Sequence, residues 1–171
     1  MREYLRTPYA QSVWIVPVRG VLPWRECSSA VVLSSSPSEG SDPLPPFSDN
    51  HEIAWTHPSL LGFWSFLLAV RDANTLGPLA LSFHTASSPD PDCVVANGSS
   101  PSSLLEVDHV KIYHDSACAM LIRNVLDAWA YPTGHPNDMG SDVEPGPRKI
   151  RVLKGTKLVL LDDRSKAIVI L

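Results

Sequence analysis

Runs of β-branched and aromatic residues alternate along the chain with polar, proline-rich stretches. Such runs are typical of β-strands, because these side chains pack well on a pleated surface. Five of them predict strands, at residues 12–18, 28–33, 51–56, 79–84 and 109–114. Pro17 cannot donate a main-chain hydrogen bond, so we expect the first strand to lie at a sheet edge or to carry a bulge.

Two segments have the pattern of helices. The first opens at Thr56, with Pro58 in its first turn, and extends to about residue 74. Its apolar side chains point in almost every direction around the helix axis, which predicts a largely buried helix. The second is capped by Asp115 or Ser116 and extends to about Tyr131.

The second predicted helix is amphipathic. Its apolar positions form one stripe, which consists of Cys118, Leu121, Ile122, Val125 and Trp129. Arg123, Asn124 and Asp127 face away from that stripe. The pattern therefore predicts a helix that packs on a sheet with one face and meets water with the other.

The chain ends in three further predicted strands that form a C-terminal β-meander, at residues 149–153, 157–162 and 166–171. The last strand is so apolar that we expect it to be covered on both faces or paired centrally, since an exposed apolar strand aggregates. Together the elements predict a single α+β domain over residues 1–171. In that domain, two helices pack on a mixed sheet of about seven to eight strands.

Three long segments between the elements are rich in proline and serine, at residues 34–50, 86–103 and 132–147. The chain holds 16 prolines in 171 residues, close to twice the average share of about 5%. Each segment is longer than about 12 residues, a length at which connections without secondary structure are uncommon. We interpret them as irregular loops inserted in the domain rather than as three active-site loops.

Composition and charge limit the class of protein. Hydrophobic residues make up 44% of the chain, enough for a core, and a net charge of −4 excludes a protein that is basic overall. The most apolar stretch, residues 60–70, is too short for a bilayer, which takes about 20 residues, and the first residues lack the apolar core of a secretory signal. Three irregularly spaced cysteines predict no disulfide framework. We therefore expect a cytoplasmic or nuclear protein without a membrane partner.

One stretch has the residue types of a nucleophilic site. His114, Asp115 and Cys118 lie where the strand at 109–114 passes into the second helix. A helix N-terminus carries unpaired N–H groups and a partial positive charge, which bind anions and lower the pKa of a thiol. Cys118 as nucleophile with His114 as its base defines a small hydrolase. The alternative is that Asp115 caps the helix and Cys118 packs in the core.

Residues 110–116 (VKIYHDS) and the helix after them resemble one element of the ribonuclease H-like family, in which a strand ends in an aspartate–serine pair. The resemblance covers this strand and helix, and it implies that Asp115 corresponds to the family's carboxylate at that strand end. The predicted first strand contains no acidic residue, so the family's other metal-binding carboxylates have no counterpart here. The resemblance implies a degenerate fold of that family without two-metal hydrolysis.

Metal and nucleotide sites are not predicted. The six histidines and three cysteines include no CxxC, HxxxH or HExxH spacing. The chain also lacks the glycine-rich GxGxxG and GxxxxGK[ST] loops and the GxSxG elbow. We therefore expect no metal and no cofactor.

Positive charge is concentrated at the C-terminal end. From residue 148 on, the chain has seven basic and two acidic residues, a net charge of +5, whereas the residues before it carry −9. Lys149, Arg151 and Lys154 are therefore candidates for binding nucleic-acid phosphates. The alternatives are that these cations protect a sheet edge or dock on the chain's own acidic loops.

The two predicted helices cannot cover both faces of so large a sheet. The uncovered face must be polar, curled on itself, or buried against a partner. Trp14, Trp24 and Trp55 are candidates for that face, and core packing is their alternative role. The leading hypothesis is a non-catalytic interaction protein or structural subunit of an intracellular assembly, which binds a partner protein or a second copy of itself. Catalysis at His114–Cys118 and nucleic-acid binding rank below it.

Overall fold

The structure, a computed structural model, describes residues 10–33, 52–87, 104–133 and 148–171. These ranges hold two α-helices and nine strands, which confirms the predicted α+β class. The predicted loops at 34–50, 86–103 and 132–147 lie almost wholly outside the described residues. In chain order the elements are β1 Gln11–Arg19, β2 Ala30–Leu33, β3 Ile53–Thr56, α1 His57–Ala73, β4 Ala80–His84, β5 Asp108–Asp115, α2 Ala119–Ala128, β6 Tyr131–Thr133, β7 Arg148–Ile150, β8 Val159–Asp162 and β9 Ala167–Ile170.

The centre of the fold is a five-stranded antiparallel sheet with the strand order β4-β5-β1-β8-β9. β2 and β3 form a separate parallel pair, and β6 and β7 form a separate antiparallel pair. The described strands therefore divide among three sheets and do not form one mixed sheet. β4 and β9 are the two edges of the central sheet, and within the described ranges each pairs with one neighbour.

β1 lies at the centre of this sheet, and its seven inner residues are all buried. Because successive side chains of a strand face opposite sides, β1 contributes to two cores. Trp14, Val16 and Val18 belong to the larger core, which also contains residues of α1, α2 and β3. Val13 and Ile15 belong to a smaller core on the other face of the sheet.

The expected bulge lies at the proline. The pairing of β1 with β5 shifts its register between Pro17 and Arg19. The pairing of β1 with β8 extends only from Ser12 to Ile15, so it ends before Pro17. β1 therefore tolerates a proline in a central strand because that end of the strand has no β8 neighbour.

Helix α1 begins at a capping box. The Oγ1 atom of Thr56 accepts from the Ser59 N–H (3.2 Å), and the Ser59 Oγ accepts from the Thr56 N–H (2.9 Å). The prediction of a largely buried helix is wrong. Its buried residues are Ser59, Phe63 and Leu67, four apart on a single face, while Leu61 is 57% exposed. The other apolar residues extend beyond the width of the face that meets the sheet.

Helix α2 follows a 3-10 turn at Ser116–Cys118, and its buried face differs from the predicted one. Leu121, which we expected in the core, is 54% exposed, and Arg123, which we expected in water, is buried. The 3-10 turn has fewer residues per turn than an α-helix, so it rotates the helix that follows. The side chain of Asp115 forms no capping hydrogen bond, so the predicted cap is absent at that residue.

The predicted C-terminal meander is wrong in its first strand. β8 and β9 form the expected hairpin, but β7 pairs with β6 instead of β8. A turn intervenes, in which the Thr156 Oγ1 donates to the Leu153 carbonyl (2.7 Å). β9 is half-buried on both faces, with Ile168 against the larger core and Ile170 against the smaller one. It is an edge strand in the described part of the chain and is not paired centrally.

The tryptophans proposed for an uncovered face pack in the cores instead. Trp14 and Trp55 are both 0% exposed. Their indole N–H groups donate to the Ala119 carbonyl (2.9 Å) and the Pro17 carbonyl (3.0 Å). Trp24 is half-buried against the smaller core. The polar atom of each fully buried indole is therefore satisfied inside the fold.

Candidate functional site

The histidine of the predicted catalytic group lies in the interior. His114 is 3% exposed, and its Nδ1 is 2.9 Å from the Asp115 carbonyl oxygen and 3.3 Å from the Ser12 Oγ. Burial lowers the pKa of His114, against the opposing effects of the Asp115 carbonyl and carboxylate. The Nε2 atom is buried and has no hydrogen-bond partner among the described residues. The imidazole is therefore held neutral with its second nitrogen enclosed by protein.

Cys118 and Asp115 lie at the same junction but are not linked to this imidazole through their side chains. Cys118 is half-buried and packs against the larger core. In the described part of the chain, the hydrogen-bond partners of the His114 ring are the Ser12 Oγ and the Asp115 carbonyl oxygen. No hydrogen bond joins the ring to the Cys118 thiol. The catalytic role of His114, Asp115 and Cys118 stays a prediction. It requires a rearrangement that brings substrate to a buried ring.

The predicted nucleic-acid-binding residues are exposed but do not share one surface with the remaining C-terminal cations. Lys149 lies in β7, and Arg151 and Lys154 follow it before the chain enters β8. Arg164 and Lys166 lie in the turn at the other end of β8, where their N–H groups donate to the Asp162 Oδ1. The positive charge is thus divided between the two ends of a strand. Nucleic-acid contact stays a prediction.

A groove with an apolar lining lies between α1 and the edge strand β4. It encloses about 210 Å³ and is lined by Leu60, Leu61, Phe63, Trp64, Phe83 and Val110, which we call the α1–β4 groove. Phe63 and Val110 are buried and form its floor, whereas Leu61 and Phe83 are 57% and 45% exposed. No charged side chain lines it.

Among the described residues, the strand beside this groove is paired on one edge only. β4 pairs antiparallel with β5, with Phe83 opposite Val110 and His84 opposite His109, and within the described ranges its other edge has no strand neighbour. Its sequence ALSFH holds no lysine and no proline. These are the residues that commonly prevent an edge strand from pairing with another chain. The main chain of β4 is therefore a template for one more strand.

The residues of this groove were not predicted from the sequence as a binding site. The relevant pattern lies in α1, whose apolar residues surround the helix and predict a largely buried element. A helix with apolar residues on all sides can also bury one face in its own fold and present another face to a partner. The exposure of Phe83 could not be predicted, because the mixed composition of its strand does not indicate which face packs against the rest of the protein.

Comparisons with known proteins do not identify a function. The chain matches no protein-family model, no curated protein and no solved structure. Across the four described ranges, no three His, Cys, Asp or Glu side chains lie close enough together to hold a metal ion. Neither of the two described helices is long and apolar enough to cross a membrane.

Proposed function

We propose that this chain is a non-catalytic interaction protein, a structural subunit of an intracellular assembly, that binds its partner at the α1–β4 groove and the open edge of β4. The observation that carries the proposal is Phe83, an aromatic side chain that is 45% exposed on an edge strand beside an exposed helix face. Exposed apolar residues that are contiguous mark interaction sites, whereas scattered ones do not.

The partner that fits this surface is an extended, uncharged segment of another protein. An extended segment adds to a sheet edge through main-chain hydrogen bonds, and its alternate side chains enter pockets beside the edge. The groove lies beside β4 and has no charged lining residue, so it favours an aliphatic or aromatic side chain at the alternate positions. A charged residue would lose its hydration there without gaining an ion pair.

Two side chains of the groove still have apolar surface to bury against a partner. Complete burial of a leucine or phenylalanine side chain is worth about 1.5–3 kcal/mol relative to leaving it exposed. Leu61 and Phe83 each have about half of that still to gain. Their combined gain, about 1.5–3 kcal/mol, adds to the main-chain hydrogen bonds of an added strand and is opposed by the entropy of association.

A peptide selection tests the proposal. The full chain is immobilised, binders are selected from a random peptide library, and each is measured against four variants. Phe83→Asp and Leu61→Lys alter the groove, while Leu121→Asp and Val21→Lys alter residues of similar exposure elsewhere, at 54% and 63%. We expect apolar, extended binders whose affinity falls at least about tenfold in both groove variants and is unchanged in the other two.

Two results would overturn this assignment. Binders that tolerate Phe83→Asp and Leu61→Lys would place the interaction surface elsewhere. Concentration-dependent dimerisation of the native chain that Phe83→Asp abolishes would show that a second copy, and not a different protein, occupies the groove. Circular dichroism of each variant confirms that a loss of binding is not a loss of fold.

A further inference from the structure

A pair of histidines joins the edge strand to the rest of the sheet. His84 of β4 lies opposite His109 of β5 in the strand register. Their rings are stacked, with centroids 5.0 Å apart and planes only 5° from parallel. They face the side of the sheet opposite to Phe83 and Val110, because adjacent residues of a strand point in opposite directions. The pair therefore lies on the back of the strand that forms the α1–β4 groove.

Hydrogen bonds fix the protonation state of the buried member. The Nδ1 of His109 is 2.6 Å from the Val107 carbonyl oxygen, and since a carbonyl only accepts, Nδ1 carries the proton. The Nε2 of His109 is buried and has no partner among the described residues, so a second proton would have no acceptor there. His84 is half-buried, and its Nε2 lies 2.9 Å from the Ser82 Oγ. Both rings are accommodated as neutral imidazoles.

Among the charges around the pair, Lys111 opposes a positive His109 ring more strongly than Asp108 favours it. Lys111, two residues further along β5, adds positive charge near both histidines. Asp108 is the nearby acid, but its two oxygens are engaged by the Arg19 Nε (2.8 Å) and the Ala86 N–H (2.6 Å). Two protonated rings in this stack would therefore repel each other and Lys111 at short range.

We propose that the stacked pair of His84 and His109 is an acid-sensitive clasp, which holds β4 on β5 while both rings are neutral and releases the strand when they are protonated. Release would separate Phe83 from Val110 and so dismantle the α1–β4 groove. The release of the strand is inferred from the histidine pair and its surroundings and does not require a partner. That it also ejects a partner rests on the proposed function.

The direction of the pH effect follows from the environment of each ring. Burial lowers the pKa of His109, against the opposing Val107 carbonyl. Burial and then the Lys111 charge lower the pKa of His84. Below about pH 6.5 the open strand therefore binds more protons than the closed strand. For each histidine that charges only in the open state, the open population rises up to about tenfold per pH unit through that window.

Amide hydrogen exchange of the full chain tests the clasp without any partner. Exchange of residues 80–84 is measured at pH 7.5 and pH 5.5, with labelling times scaled to the intrinsic exchange rate at each pH, and β8 serves as the internal control. We expect the β4 amides to exchange about tenfold or more faster at pH 5.5, with β8 changing much less. In the double variant His84→Gln, His109→Asn the β4 amides should exchange equally at both pH values.

The two substitutions keep the local hydrogen bonds. An asparagine amide can replace the Nδ1–H of His109 toward Val107, and a glutamine amide can replace the Nε2 of His84 toward Ser82, and neither takes up a proton. Equal protection of β4 in the native chain at both pH values would overturn the clasp. Opening of β4 at pH 5.5 that persists in the double variant would do so as well. Neither result concerns binding at the groove, which the peptide selection at pH 7.5 tests independently.

Discussion

Arg123 and Asp127, one turn apart on α2, form an ion pair in which the Arg123 Nη1 lies 2.7 Å from the Asp127 Oδ1. The arginine side chain is 6% exposed and the aspartate side chain 39% exposed. The same guanidinium donates to the main-chain oxygens of Thr156 and Leu171. One cation therefore connects α2 to the segments on either side of the β8–β9 hairpin, and the guanidinium that makes these bonds is itself buried.

We predict that Arg123→Ala lowers the free energy of unfolding by about 3 kcal/mol. The substitution removes a buried cation and leaves the Thr156 carbonyl without its donor, while the Leu171 oxygen keeps only the Leu158 N–H and Asp127 loses its ion pair. Urea unfolding measures the change. Arg71→Ala is the matched control, because the Arg71–Asp72 pair is exposed and should contribute less than about 0.5 kcal/mol. Equal effects of the two substitutions would contradict the role of Arg123.

Opposite faces of α1 should respond differently to substitution. We predict that Leu61→Lys changes the free energy of unfolding by less than about 0.5 kcal/mol, since Leu61 is 57% exposed. Phe63→Ala should cost about 3–5 kcal/mol, because Phe63 is fully buried and contacts Trp55 and Trp129. Thermal or urea unfolding separates these outcomes. A similar large loss in both variants would restore the sequence-based prediction of an α1 that is buried all round.

Stability should fall as the pH falls below about 6.5. Burial lowers the pKa of both His109 and His114. The unfolded chain then binds more protons than the folded chain between the folded pKa and about 6.5, so the free energy of unfolding decreases through that interval and is constant above it. The measurement is the urea midpoint at pH 7.5 and at pH 5.5. His114→Asn, which keeps a donor toward the Asp115 carbonyl, should reduce the difference; an unchanged difference would show that His114 does not contribute.

Thiol chemistry distinguishes the interaction hypothesis from the catalytic one. Burial and the neighbouring Glu26 raise the pKa of Cys27 to about 11, with Lys157 acting in the opposite sense, so little thiolate is present at pH 8. We predict slow alkylation of Cys27 relative to a free thiol. Mass spectrometry after timed iodoacetamide treatment reads the two described cysteines separately. Alkylation of Cys118 much faster than that of a free thiol would instead favour the nucleophile predicted at His114–Cys118.

The fold class could be predicted from local patterns, whereas several pairings could not. Residues 12–18, 79–84 and 109–114 formed strands because their β-branched and aromatic residues fit a pleated surface wherever it lies. β7 pairs with β6, the strand before it in the chain, instead of β8, the strand after it, and a local residue pattern does not distinguish between these two neighbours. The buried face of α2 depends on a 3-10 turn at Ser116–Cys118, which the residue pattern did not predict. Arg123 shows the same limit, because a charged residue predicts exposure until its acceptors are known.

The groove could not be predicted from the sequence for a different physical reason. Hydrophobicity indicates which residues favour burial, but not whether the chain itself supplies enough surface to bury them all. α1 has apolar residues on more faces than the sheet can cover, and the excess lies beside β4. Which apolar residues stay exposed is therefore known only from how α1 packs in the fold.

The most direct test of docking at the edge of β4 is amide exchange of residues 80–84 in the presence of a selected peptide at pH 7.5. We expect the peptide to slow exchange in β4, because a strand added to its open edge occupies the outward-facing N–H groups, and we expect Phe83→Asp to abolish this protection. Protection confined to other elements, with β4 unchanged by a bound peptide, would contradict docking at this edge.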